Sequence, residues 1–515
     1  MAITDLCLCI DLGTGGPKVG VVTFDGDLIA HELHHVTTHF NDHGGATQDA
    51  TEWWELIRSS ATRLLHAKGV DRTLVKAVAV TGQYASTVPV DEQGVPTGPC
   101  VTWLDTRGGP YSRRAIGGAL QGYNARKLRR FVQRSGGAPS TSGADPVGQI
   151  LYLLHEQPQI CANTRWFMEP VDYLTMRFSG VATGSHASRL AMWMTDNRHL
   201  ETLHYDETLL DSVGLTHEKL PTLVRAASVI GAVKPEVASE LGLATSTLVV
   251  AGLPDLHAAA FGARATAPFA THMALSTTSW ISCPLAKKKT DAMHSIAAVP
   301  GLTNDSYVMI DNQETGAKAL EWLQHLLAGG EEPMSFEQMT ALAASSPPGA
   351  NGVRFTPWLA GERSPIDDKR ARAGFTNLSI TTTTADMIRA VMEGVAANSA
   401  WLFGYVEKFA ERTLTPIRLV GGGAQSDLWC QIIADALDRE VHQVTSPMTA
   451  QLRGMALAAS VSLGYRSLDQ VDDVALSTRV FEPVEVHAEL YRGLVKDLAG
   501  LYQRDKKWSR RAAKI

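Results

Sequence analysis

The stretch from Leu6 to Phe24 limits the possible folds more than any other part of this chain. Leu6-Cys7-Leu8-Cys9-Ile10-Asp11 is an apolar run of strand length that ends in a carboxylate. Gly13, Gly15, Gly16 and Pro17 then form a tight turn, and Val19-Gly20-Val21-Val22-Thr23-Phe24 resumes strand-like composition. A second turn at Asp25-Gly26-Asp27 continues the meander. Met273 to Ser282 repeats the unit as an apolar strand, a small hydroxyl-rich turn and another strand. Two such openings suggest a duplicated architecture. The 515 residues also exceed the roughly 250–300 that one core usually reaches, so two large domains are expected. Their boundary is placed in the Ala-Arg-Ala-Thr-Ala-Pro-Phe-Ala stretch between Gly262 and Thr271.

Composition narrows the function classes. With 44% hydrophobic and 19% charged residues the chain is globular rather than disordered. A net charge of -6 argues against nucleic-acid binding by bulk electrostatics. Met1 to Leu8 lacks a basic region followed by a long apolar stretch, and no run of about 18 uncharged apolar residues suggests a membrane span. The six cysteines are scattered without a C-x-x-C pair, which fits reduced thiols in a cytoplasm. His31, His34, His35, His39 and His43 match no zinc spacing and read as solvent-facing. The Trp53-Trp54 pair is expected to put one ring in the core and the other at its edge. Arg504 to Lys514 reads as a solvated basic helix end.

Three turns could carry chemistry. Asp11-Leu12-Gly13-Thr14-Gly15-Gly16-Pro17-Lys18 combines convergent backbone N–H groups, a hydroxyl, a lysine and a carboxylate able to hold Mg²⁺. Its spacing is neither a Walker A loop nor a dinucleotide fingerprint, and an ordinary hairpin whose glycines serve only the turn is the alternative. Val420-Gly421-Gly422-Gly423-Ala424-Gln425-Ser426-Asp427 brings a strand to a helix through three glycines, which allows a ring or phosphate close to the backbone. Gly252-Leu253-Pro254-Asp255 follows a buried-looking run and sets an Asp at a strand end, facing a cleft or capping the next helix.

In this order and separation the three segments resemble the FGGY carbohydrate kinases, closest to xylulokinase-type members. Thr81-Gly82-Gln83, Thr102-Trp103-Leu104-Asp105-Thr106-Arg107, Pro170 to Gly180, Leu275 to Trp280, Gly361-Glu362-Arg363-Ser364-Pro365 and Met387 to Ala396 extend the likeness from about Leu6 to about Tyr465. The resemblance implies an α/β fold of two actin-like (ribonuclease H-like) domains, each a mixed five-stranded sheet with helices on both faces, around an ATP/sugar cleft. Residues 1–264 would form the sugar-binding domain, 265–490 the ATP-binding domain, and 491–515 a C-terminal helix and basic tail. It further implies ATP and Mg²⁺ and the transfer of phosphate to a terminal hydroxyl of D-xylulose or a related ketose or polyol. Asp255 would be the general base and, with Asp11, a metal ligand. Gln83, Tyr84, Asp105 and Asp255 would bind the substrate, and Thr14, Lys18, Thr277, Gly422, Gly423 and Asp427 the nucleotide. A homodimer is common in the family, although no residue here argues for one; neither nucleic acid nor membrane is an expected partner.

Several positions depart from the family pattern, Gln451-Leu452-Arg453-Gly454 among them. Gln83-Tyr84-Ala85-Ser86 replaces Gln-Met-His-Gly, and Leu256 stands where Asn is usual, with His257 read as a packed helix residue. Lys18 occupies a place where relatives often carry Arg. Ser276 replaces a glycine and would be strained if that position needs positive φ. These changes keep open a second reading, a catalytically silent actin-fold ATP-binding regulator or scaffold. A nicotinamide dehydrogenase is excluded by the spacing of both glycine turns.

Overall fold

The computed structural model describes residues 4–512 except 121, 292, 304–305, 475 and 477. The last part of the basic tail, 513–515, lies outside the described residues.

The N-terminal sheet is built from β1 (Leu6–Gly13), β2 (Gly16–Thr23), β3 (Leu28–Leu33), β4 (Val75–Gly82), β5 (Val229–Ala232) and β6 (Leu248–Val250). Their order is β5-β6-β4-β1-β2-β3, with the short pair Leu253–Pro254 also bonded to β4. β1, β2 and β3 form the antiparallel meander read from the sequence, and β4 and β6 run parallel to β1. Side chains alternate along a strand. Leu6, Leu8, Ile10 and Leu12 therefore face one side, against Trp53, Ile57 and Ala61 of α1 (Ala50–Leu65) and Val171 and Leu174 of α2 (Pro170–Ser179). Cys7 and Cys9 face the other side, and Asp11 continues that row. Both tryptophans of α1 are buried, contrary to the expectation for Trp54. Its ring meets Phe178 edge-on at 4.9 Å, and Arg177 covers it.

The C-terminal sheet repeats the plan. β7 (Thr271–Leu275), β8 (Ser279–Leu285), β9 (Ile296–Pro300), β10 (Tyr307–Gln313), β11 (Ile417–Val420), β12 (Val441–Val444) and β13 (Thr478–Phe481) take the order β9-β10-β8-β7-β11-β12-β13, with Thr290–Asp291 beyond β9. The series β10-β8-β7-β11-β12 matches β3-β2-β1-β4-β6 strand for strand, which is the five-stranded unit expected twice. Edge strands enlarge the sheets to seven and eight strands. The parallel crossover from β10 to β11 passes through α4 (Thr384–Ala410), which starts at a capping box between Thr383 and Asp386 and buries Ile388, Val391 and Val395 in the core.

Two helices join the lobes. α3 (Asp255–Gly262) follows β6, and α6 (Ala450–Ser462) follows β12 and α5 (Asp427–Leu437). α6 comes late in the sequence yet packs Leu452, Met455 and Ala456 with Cys7, Cys9 and Ala77 of the first sheet. The two helices touch backbone to backbone. A Cβ on Gly262 would stand 1.9 Å from the carbonyl oxygen of Ala450, and one on Gly454 only 1.8 Å from that of Ala258. Only glycine fits at either crossing point. All six cysteines are buried free thiols, and among the described residues no helix is long and apolar enough to cross a membrane.

Candidate active site

Strand register assembles the first group. Asp11 pairs with Lys18 across β1 and β2, so their side chains share the face turned to α3. The Lys18 ammonium donates to Asp11 Oδ2 at 2.9 Å, with Asp11 buried and Lys18 half-buried. Asp255 is the first residue of α3, after Pro254 as N-cap, and it is partly buried with Oδ1 lacking a hydrogen-bond partner among the described residues. Burial first, and then the negative charge of Asp11, push its carboxyl up to about 7, against the opposing pull of the Leu256 N–H and Lys18. Asp11 and, more weakly, Asp255 hold the Lys18 pKa above its ordinary value. This leaves one cation between two carboxylates, one of them poised near neutrality.

The substrate loop forms the second group. Gln83 N–H donates to Leu12 O at 2.7 Å, and its amide donates to Gln48 Oε1 at 3.0 Å. The Thr14 hydroxyl donates to Gln83 Oε1 at 3.3 Å and accepts from Trp103 Nε1 at 3.0 Å. Thr14 thus belongs to the Gln83–Gln48–Trp103 network rather than standing free. Burial and the charge of Asp255 raise the Tyr84 phenol, while Arg363 of the other lobe lowers it, so the loop faces both lobes. Ala85 adopts φ 61, a left-handed conformation unusual for alanine. A clamp holds it there. Gln149 donates to Ala85 O at 2.9 Å, and the buried Glu169 accepts the N–H groups of Ala85 and Ser86. Burial pushes the Glu169 carboxyl up to about 8, partly offset by the buried Arg189.

The third group lies on the second lobe. Thr277 stands exposed at the tip of the β7–β8 hairpin, whose carbonyls Ser276 O and Thr277 O accept from Ala317 and Gly316. Ser276 is not among the residues with positive φ, so serine is unstrained where relatives have glycine. The strain sits instead on Gly421, at φ 94, where a Cβ would meet Ser276 Oγ at 2.6 Å. Gly422 and Gly423 follow, with Gly422 half-exposed and Ser426 capping α5 through the Trp429 N–H. Hairpin and glycine turn therefore lie against each other, with Gly421 packed on Leu275 and Ser276.

Two expected site residues are otherwise engaged. Asp105 is buried, with its carboxylate accepting from Ala46 N–H and from the Nε and Nη2 of Arg107, the latter at 2.6 Å. Asp427 pairs with Arg479 and accepts from Gln443 at 3.2 Å. His257 is a fully buried helix residue bonded to Pro300 O at 2.8 Å, its pKa lowered to about 4 by burial. Sequence reasoning missed Gln48, Gln149 and Glu169. None sits in a glycine turn, and only the Glu in the apolar run Trp166-Phe167-Met168-Glu169-Pro170 carried a signal, as a charge where burial was expected. For Mg²⁺ the donor set fits: the ion keeps several waters and takes one or two carboxylates, which Asp11 and the unpartnered Asp255 Oδ1 can supply.

Duplicated mixed sheets and two crossing helices thus make a two-lobed α/β fold with the Asp11–Lys18 pair and Asp255 on the first lobe. The N-terminal and C-terminal domain models of the FGGY family of carbohydrate kinases match residues 6–262 and 274–463, and the chain belongs to that family. It is similar to a xylulose kinase of Staphylococcus epidermidis, 26% identical over 511 residues and 98% of both chains. It is equally similar to a gluconokinase of Bacillus licheniformis, 26% identical over 500 residues, 96% of this chain and 94% of the relative. A ligand-bound xylulose kinase from Lactobacillus acidophilus shares the fold at a TM-score of 0.84 and 20% identity, over 97% of this chain and 98% of the other.

Proposed function

We propose that this carbohydrate kinase transfers the γ-phosphoryl group of ATP to a terminal hydroxyl of a small ketose or polyol such as D-xylulose, with Asp255 as general base and Mg²⁺ held by Asp11 and Asp255. The observation that carries this reading is the state of Asp255: an unpartnered carboxylate oxygen at a helix start, with a pKa of about 7, beside Asp11–Lys18 and the Tyr84 loop. A base near neutrality is ionised often enough to accept a proton and basic enough to hold it. Asp255 takes the hydroxyl proton as that oxygen bonds to the γ-phosphorus and ADP leaves, and the proton remains on the carboxyl. Lys18 places a positive charge where the transferring group bears negative charge. Gln83, Tyr84, Thr14 and Trp103 orient the sugar, while Thr277, Gly422 and Gly423 border the nucleotide. Asp11 and Asp255 would hold Mg²⁺, which when bound would supply positive charge to neutralise the phosphates. The lobes, divided at 264/265, close over the pair and exclude water.

The retained Asp11, Lys18 and Asp255 favour an enzyme over a silent scaffold. Coupled ADP release with Mg-ATP, across a panel of ketoses, pentitols, glycerol and gluconate, tests the reading. One sugar is expected to stimulate turnover, and Asp255→Asn is expected to lower kcat by about 10²–10⁴-fold. Undiminished turnover in Asp255→Asn would remove Asp255 from this role. Stimulation by gluconate alone would replace the ketose by an aldonate.

A further inference from the structure

Away from the substrate loop, three arginines meet where the lobes cross. Arg264 lies two residues past the C-terminal end of α3, roughly 13 Å along the helix axis from Asp255. Arg453 is on α6, and Arg466 follows that helix. Arg264 and Arg453 are 3% and 7% exposed, and the Arg466 side chain is 7% exposed. Their charges act on one another: burial, then Arg453 and Arg466, push the Arg264 pKa down to about 10.

The carboxylates nearby do not satisfy them. Asp25 Oδ1 accepts from Arg466 at 2.5 Å, and Asp25 O accepts from Arg264 Nη2 at 2.9 Å. Asp27 is exposed and acts on Arg264 and Arg453 only through its charge. Next to the cluster, Arg418 and Asp472 lie 3.8 Å apart and balance each other. Three guanidinium groups thus face two carboxylates. Five buried donors, Arg264 Nε and Nη1, Arg453 Nε and Nη2 and Arg466 Nε, have no hydrogen-bond partner among the described residues. Arginine cannot shed its proton to escape this, and buried donors left unpaired need an ion or water to satisfy them. The surplus positive charge favours an anion over water, and guanidinium forks match tetrahedral oxyanions.

We propose that Arg264, Arg453 and Arg466 form a binding site for a phosphate-type oxyanion, separate from the glycine turn and set between the two crossing helices. Its occupant bridges α3, which carries Asp255, to α6, which covers the first sheet, and so ties the two lobes together.

Thermal denaturation and isothermal titration with inorganic phosphate, and in a second arm with glucose 6-phosphate, test this on the full chain with ADP saturating the nucleotide site. Either anion is expected to raise Tm saturably, and the tighter of the two identifies free phosphate or a phosphate ester as the source. Arg453→Met keeps the stem and removes the charge. It is expected to weaken the anion at least tenfold, leave ADP affinity unchanged, and match or exceed the wild-type Tm in chloride buffer. Arg466→Met serves as the second variant should the first fold poorly, with the same expectation for the anion. An unchanged phosphate response in the variant, or no saturable response in the wild type, would show donors satisfied by water and overturn the proposal.

Discussion

Replacing Asp11 by Asn tests the electrostatic coupling at the candidate base. Asp11 is the largest charge raising the Asp255 carboxyl, and its partner Lys18 is the charge lowering it. The substitution removes the repulsion and frees Lys18 from its 2.9 Å ion pair to face Asp255. Both changes favour the ionised form of Asp255, so its pKa must fall. A unit charge within a few ångströms moves a carboxyl by at least about one unit, or 1.36 kcal/mol. The acid limb of kcat/KM for the sugar should therefore lie about one unit lower in the variant than in the wild type. The assay is the profile from pH 5 to 9 at saturating nucleotide and constant excess Mg²⁺, for wild type and variant together. Titration of the nucleotide is common to both enzymes, so the difference between the two profiles isolates the protein. Loss of a metal ligand lowers the whole curve, but only the position of the limb bears on this argument. A limb that stays in place or moves to higher pH would refute it.

Gly454→Ala should lower Tm, although alanine is the better helix former, because its methyl would sit 1.8 Å from Ala258 O; overpacking of this kind costs about 1–3 kcal/mol. An unchanged or raised Tm would contradict the close crossing. Glu169, with a pKa raised to about 8, contributes stability that is full below the ordinary glutamate value and lost as pH rises towards 8. Tm should therefore decline from pH 5 to 8, and more gently in Glu169→Gln. Removing the buried Asp105 carboxylate with Asp105→Ala leaves Ala46 N–H and the half-buried Arg107 without their acceptor, and should destabilise the fold by about 1–3 kcal/mol in chemical denaturation, whatever its effect on sugar affinity.

Local pattern carried much of the architecture. The meander that opens at Leu6 follows from periodicity and turn chemistry, and in the structure it runs on to Leu33. The position of Asp255 between a buried strand and a helix was legible from the apolar run and the proline before it. What sequence could not convey was long-range. The pairing of Asp105 with Ala46 N–H joins residues far apart in the chain, and the Asp427–Arg479 pair depends on how β13 docks beside α5. The clamp on Ala85 needs a glutamate and a glutamine from two separate helical segments. Ser276 looked strained only because the strain was assigned to the hairpin instead of to Gly421.

The place of α6 has a consequence for biosynthesis. The first sheet is complete by Val250, yet the helix that covers Cys7, Cys9 and Ala77 ends only at Ser462. A ribosome adding about 5–20 residues per second needs roughly 10–40 s to span that interval. Throughout it the nascent chain presents an apolar sheet face to solvent or to a chaperone. The N-terminal half therefore cannot finish folding by itself while the chain is being made, and prematurely terminated products ending near residue 264 should be sticky and short-lived.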